Sequence, residues 1–307
     1  MKTQDLGRLF ALAALWGASF LFIRVTAPAF GPFLLVDLRV LLAGIALVAF
    51  ALARRASLNF RSHWRQFLVL GLINSVLPFT LIASAELTLN ASLGAILNAT
   101  TPLFTALIAF FWAKEPLSAK KGLGLLLGLT GVACVVGLSP LNLNLNTFLA
   151  IGSVLAASFS YALGSTYAKH NFHGVPPLTL SIGQQLSAGL ILLPLAAFNV
   201  PSAVPSPEII LCLLGLALFS TAVAYIFYFQ LIVNVGATKT TSVTFLVPVF
   251  GIIWAALFLS EPVTIGQLGG FAIVLASLLL VTGVRLGLPS RRSNSNYPVA
   301  VNSKNLD

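Results

Sequence analysis

The sequence predicts an all-α membrane protein of ten transmembrane helices, arranged as two inverted five-helix repeats. Three observations carry that prediction: the composition, the distribution of charge between apolar runs, and self-similarity at a fixed offset. Of 307 residues, 58% are hydrophobic and only 8% are charged, with a mean hydropathy of +0.99. That balance excludes a soluble globular domain, a disordered chain and a disulfide scaffold. The net charge of +10 does not mark a nucleic-acid binder. Its cations lie in short gaps between apolar runs, with no basic face and no interleaved aromatics. Cys134 and Cys212 fall inside apolar runs and read as small buried hydrophobes, not as a bridge or a metal pair.

A spanning helix needs about 20 mostly apolar residues, because lipid offers no partner to backbone polar groups. Ten such runs are read over 6–27, 32–53, 67–88, 90–113, 119–138, 147–168, 177–198, 208–233, 237–259 and 265–286. The first opens after Lys2 and Arg8; a cleaved signal peptide ending near Ala27-Pro28-Ala29 is its alternative reading. Arg54, Arg55, Arg61 and Arg65 separate the second from the third, and Lys114, Lys120 and Lys121 surround the turn after the fourth. The fifth carries Gly122, Gly124, Gly128 and Gly131, and its counterpart, the tenth, opens with Gly266, Gly269 and Gly270. That spacing suits close helix approach, within the chain or in a homodimer. Ser139, Pro140, Asn142, Asn144 and Asn146 punctuate the gap before the sixth, and Pro201, Pro205 and Pro207 that before the eighth. Residues 287–307, rich in Ser, Asn, Arg and Pro, are expected to form a disordered cytoplasmic tail.

Numbering the gaps alternately places 15 of the 17 Lys and Arg residues on one side; the other two, Arg24 and Arg39, lie inside spans. By the positive-inside rule both termini are expected in the cytoplasm and the span count is even. Comparison of the chain with itself adds direction. An offset of 146 superposes Ala91, Pro102, Phe104, Ala109, Glu115, Pro116 and Gly124 on Ala237, Pro248, Phe250, Ala255, Glu261, Pro262 and Gly270. Near offset 145, Arg39, Ala43 and Gly44 meet Gln184, Ala188 and Gly189, and near 139 Ala18-Ser19-Phe20 meets Ala157-Ser158-Phe159. Two units follow, over 1–138 and 147–286. Five spans is an odd number, so the second unit enters the membrane from the opposite side, and a site at the interface between units is expected.

The paired motif resembles that of the EamA-type transporters of the drug/metabolite transporter superfamily. In the second half the pattern runs from Tyr225 through Gly236-Ala237, Pro248, Glu261-Pro262, Gln267 and Gly270; in the first it runs through Ser92, Gly94, Pro102, Glu115-Pro116 and Gly124. Asn90-Ala91 stands where the second half has Gly236-Ala237. The resemblance covers about residues 6–286 and implies an inner-membrane secondary transporter, commonly an exporter of amino acids or related metabolites. It also implies a central cavity lined by helices 1 to 4 and 6 to 9.

Several residues are candidates for mechanism. Pro102 and Pro248 lie mid-span, where each removes a backbone donor; they are candidate hinges, with a static bend as the alternative. Arg24, Asp37, Arg39 and Glu86 are charges inside spans, each expensive in lipid unless paired or wetted. Asp37 and Arg39 fall about 7–11 Å below the outer end of the second span, and all four could share one layer. There they would act in coupling or gating, with Asp37 or Glu86 taking a proton, or simply pair with one another to hold the bundle. Trp16, Ser19, Asn98, Thr101, Tyr161, Gln184, Tyr225, Gln230 and Trp254 are candidate substrate-binding residues, with helix–helix adhesion as the competing role. Glu115-Pro116 and Glu261-Pro262 are expected to be structural, each glutamate complementing the dipole of the helix that follows it, with gating as the alternative. Thr264 and Gln267 have the spacing of a capping box.

No Walker-type loop is present, and His63, His170 and His173 all lie in gaps between spans or at a span end, with no relay to an intramembrane nucleophile. The expected partners are a small-molecule substrate, a proton or counter-substrate, and membrane lipid; no cofactor, metal or nucleic acid is expected, and the protein is a monomer or homodimer. A passive channel is the nearer rival to a carrier, and an intramembrane enzyme the weaker one.

Overall fold

The computed structural model describes residues 2–282, apart from 57, 59, 113–117, 140–141, 143, 202, 236–239 and 241–242. Glu115, Pro116 and the tail from 287 lie outside the described residues. Among the described residues, the regular structure is wholly helical. The helical runs are α1 (Thr3–Ala53), α2 (Trp64–Ala85), α3 (Ala91–Trp112), α4 (Ala119–Gly137), α5 (Leu145–Asn171), α6 (Pro177–Ala197) and α7 (Pro207–Val235). They are followed by α8 (Val243–Leu259) and α9 (Ile265–Thr282). The first seven are long and apolar enough to cross a membrane, and α8 and α9 are shorter apolar helices.

The first two predicted spans meet in α1 without the expected four-residue gap. A straight helix of 51 residues would extend about 76 Å, over twice the hydrocarbon thickness, so it must break. It does so at Gly31, whose φ of 68° and ψ of 160° are closed to residues with a Cβ, between Pro28 and Pro32. Two limbs result, 3–30 and 32–53. The gap estimate failed because the residues up to Gly31 stay helical, leaving the kink to one glycine.

The glycines predicted to allow close approach join α4 to α9. A Cβ on Gly124 would meet Val281 and Ser277, one on Gly131 would meet Val274 and Gly270, and one on Gly270 would meet Val135 and Gly131. Contact positions rise along one helix as they fall along the other, so α4 and α9 are antiparallel. In two copies sharing one orientation, the fifth and last helices would run parallel. The opposite face of α4 carries exposed Leu123, Leu126 and Leu129, as a lipid-facing surface should.

The largest apolar cluster joins the two limbs of α1 to α2, α5, α6, α7 and α8 through residues such as Leu12, Leu35, Val40, Ile82, Ala157, Leu192, Leu216 and Val247. Both α2 and α7 carry π-helical turns at mid-length, over Leu72–Val76 and Gly215–Val223. The two turns correspond under the 146-residue offset.

Candidate functional site

The two π-helical turns each present a polar pair to the bundle interior. Asn74-Ser75 sits in the α2 turn and Ser220-Thr221 in the α7 turn, and the repeat offset superposes them. A π-turn carries an extra residue and often marks a functional position. In α7 the Thr221 hydroxyl donates to the Leu216 carbonyl five residues back, at 2.9 Å.

Each pair is met by the opposite repeat. Arg39, on the second limb of α1, donates from Nε to Thr221 Oγ1 at 3.0 Å. On α6, Gln184 donates to Ser75 Oγ at 2.8 Å and accepts from Asn74 Nδ2 at 3.0 Å. Ser75 Oγ in turn donates to Gln185 Oε1 at 3.2 Å. The offset that aligns Arg39 with Gln184 therefore pairs equivalent contacts, one cationic and one amide. Gln184 also reaches Tyr225 at 3.5 Å, so the halves form one buried polar layer. Asn74, Ser75 and Phe79 escaped the sequence reading, although the offset that superposes Asn74-Ser75 on Ser220-Thr221 was available to find the polar pair.

Aromatic rings frame this layer. The Arg39 guanidinium lies 3.9 Å from the centroid of Phe79, a cation–π contact, and Tyr161 packs edge-on to Phe79 at 6.1 Å. Tyr161 and Tyr225 are within electrostatic reach of Arg39. Trp16 packs against Tyr225 at 6.2 Å and Tyr228 at 5.5 Å. Thus Trp16, Tyr161, Gln184, Tyr225 and Arg39 are brought together.

Others among the predicted residues lie elsewhere. Trp254 donates its indole N–H to Ala14 O at 3.0 Å and lines an apolar groove of about 440 Å³ with Phe22, Cys212 and Phe258, apart from the polar layer. Asn98 accepts from Ser158 at 3.4 Å, and Thr101 donates to the Asn98 carbonyl at 2.8 Å. Ser19 is buried on the first limb, and Gln230 is half-buried near the end of α7. Pro102 follows a break at residues 99–100 in α3, whereas Pro248 is buried within α8.

The four intramembrane charges do not pair as side chains. Arg24 gives its guanidinium to the main-chain carbonyl of Glu86, and Arg39 is held by Thr221 and Phe79. Asp37 Oδ1 and both carboxylate oxygens of Glu86 are buried without a hydrogen-bond partner among the described residues. The expectation of ion pairs within this set is therefore corrected. The one ion pair between described residues is Arg8–Asp5 at 2.9 Å, near the start of α1. The guanidinium groups of Arg24 and Arg39 turn to a carbonyl and a ring instead.

Glu261 also departs from its expected local role. Ser260 takes the left-handed conformation at φ 53°, and Glu261 N–H reaches back to Ala255 O at 3.2 Å, so the helix ends in a left-handed turn. The turn sends the carboxylate to the start of α3, not α9. There it accepts from Ala91 N at 2.8 Å, Ser92 N at 3.1 Å and Ser92 Oγ at 2.7 Å. Asn90 caps Leu93 N at 2.9 Å, so three of the four orphan donors of α3 are satisfied. The start of α9 is served instead by the reciprocal Thr264–Gln267 capping box, at 3.2 and 3.1 Å. Glu261→Ala is expected to cost about 1–3 kcal/mol, read as a lower unfolding temperature in detergent. Glu261→Gln should recover part of it, since its amide oxygen still accepts.

Comparison with known proteins agrees with this architecture. The chain matches the EamA-like transporter family over residues 7–137 and again over 148–283. It is 29% identical to YvbV of Bacillus subtilis (strain 168), named as an uncharacterized transporter, across 91% of this chain and 92% of that one. A WAT1-related chloroplastic protein of Arabidopsis thaliana is 28% identical across 87% of this chain and 66% of its own length. YedA of Escherichia coli (strain K12), named as an uncharacterized inner membrane transporter, is 28% identical across 90% of each. A solved crystal structure, 18% identical, shares the fold with a TM-score of 0.66 over 92% of this chain and 97% of that one. With a duplicated family match, apolar spanning helices and a buried polar layer between them, the chain belongs to the EamA-like transporter family and is a multi-pass membrane transporter.

Proposed function

We propose that this protein is an inner-membrane secondary transporter of small metabolites. It works by alternating access between two inverted five-helix repeats, 1–138 and 147–286. In this reading the limbs of α1 are separate spans, α8 and α9 also cross, and ten spans leave both termini in the cytoplasm. The antiparallel α4–α9 seam and the one-sided cations support that arrangement. The glycines of the seam are used within the chain, which supports a functional monomer.

The observation that carries the substrate reading is Arg39. It is buried and, among the described residues, makes no ion pair with a carboxylate, while Gln184 and Tyr225 lie in the same layer. A bidentate cation beside amide and hydroxyl groups suits a substrate carboxylate, and the Trp16, Tyr225 and Tyr228 rings suit its organic part. An amino acid or related carboxylated metabolite is the substrate class, and export is the direction. Pro102 and Pro248 act as hinges in α3 and α8.

The test is counterflow in liposomes holding the purified protein, with amino acids, other carboxylates, cationic drugs and vitamins offered in turn. Saturable exchange confined to carboxylated compounds is expected. Exchange of cations alone would overturn the substrate reading, and non-saturable flux without exchange would make the protein a channel.

A further inference from the structure

Two carboxylates stand at the junction of α2 and α3 in opposite circumstances. Glu261 has three donors, on Ala91 and Ser92. Glu86, immediately after α2, is 0% exposed, and neither of its carboxylate oxygens has a hydrogen-bond partner among the described residues. A Cβ built on Gly94 would fall 3.2 Å from Glu86 Oε1 and 3.4 Å from Phe20, so the missing side chain leaves the carboxyl its space.

The charged groups facing Glu86 are Arg24 on the first limb of α1, Arg39 on the second, and Glu261 after α8. Tyr161 and Tyr225 are the further titratable groups, interacting with Arg39. Arg39 is engaged by Thr221 and Phe79. Arg24 reaches Glu86, yet donates to its main-chain carbonyl and leaves the carboxyl without a donor.

A carboxylate stripped of water and donors is costly, whereas the neutral acid is tolerated. This geometry accommodates the acid. When the proton leaves, the new charge needs water or a turn of Arg24 from the carbonyl to the carboxylate. It also sits near the negative Glu261, which grips the first turn of α3. We propose that Glu86 is a proton-binding site whose occupancy holds the α2–α3 end of the transporter closed. With the proton bound, Glu261 stays latched on Ala91 and Ser92. Once it is released to the aqueous phase, Arg24 pairs with the carboxylate, the latch weakens and that end opens. Proton loading at Glu86 thereby sets access at one face, while the carboxylate site at Arg39 remains separate.

The test is amide hydrogen exchange at residues 91 and 92 in the full-length protein in nanodiscs, corrected for the intrinsic pH dependence of exchange. Wild-type protection is expected to fall about 10-fold or more from acid to mildly alkaline buffer. Glu86→Gln, isosteric with the neutral acid, should keep the acid-state protection throughout. Arg24→Gln, lacking the countercharge, should move the wild-type transition to higher pH. A flat wild-type profile overturns the proposal, as does a transition that survives in Glu86→Gln or one unmoved by Arg24→Gln. The wild-type profile and Arg24→Gln keep the test decisive should Glu86→Gln fail to fold. Exchange needs no substrate, so a pH-dependent latch without counterflow overturns only the carrier and substrate reading of the preceding subsection.

Discussion

Gly270→Leu is expected to destabilise the detergent-solubilised protein by about 3 kcal/mol and to lower its folded yield, whereas Gly269→Leu, one residue earlier, leaves both near wild type. A Cβ at 270 would lie 2.4 Å from Val135 Cγ2, 2.7 Å from Val135 N and 3.0 Å from the Gly131 carbonyl. Two of those three atoms are backbone and cannot turn aside, so the helices must separate along the seam. A Cβ at 269 meets nothing within 4 Å, and leucine is a better helix former than glycine. Separation also strips packing from Val274 and Leu278, which are fully buried in the cluster beside Leu103. Thermal unfolding followed by size-exclusion fluorescence measures both variants. Equal stability of the two would remove the claim that α4 and α9 pack through glycine.

Arg39→Gln is expected to weaken substrate half-saturation by about 10- to 100-fold, with folded yield close to wild type. Glutamine retains a donor for Thr221 Oγ1, which Arg39 Nε now reaches at 3.0 Å, and resembles Gln184, its counterpart in the second repeat. What disappears is the positive charge over Phe79, hence the partner assigned to a substrate carboxylate. Thr221→Val is the comparison. It removes an acceptor from Arg39 and a donor from the π-turn, and should cost about 1 kcal/mol in stability with a smaller change in half-saturation. Concentration-dependent counterflow beside thermal unfolding separates the two effects. An Arg39→Gln protein with unaltered half-saturation would place the substrate elsewhere.

The helical class and the glycines suited to close helix approach were legible in the sequence, because lipid imposes them residue by residue. An apolar run of sufficient length has to be a helix, and cations between such runs have few places to go. The repeat was legible too, since Pro102 and Pro248 keep their distance from the Glu-Pro dipeptides. Part of the site could be read in the same way. Arg39, Tyr161, Gln184 and Tyr225 were singled out as polar groups at membrane depth, and the structure gathers them with Trp16.

Direction was the part the sequence lacked. It placed Glu261 at a helix end but could not say which helix its carboxylate would serve, because a left-handed Ser260 turns it away from α9. It placed Arg24 and Glu86 near one another but not the guanidinium against a main-chain carbonyl. Nor could it foresee π-turns at Leu72–Val76 and Gly215–Val223, which rotate Ser75 and Thr221 toward Gln184 and Arg39. Composition and periodicity fix the helical, membrane-spanning class, since both depend on the chain alone. Which side chain meets which depends on rotations and kinks settled only when helices pack, and the tertiary structure alone decides those.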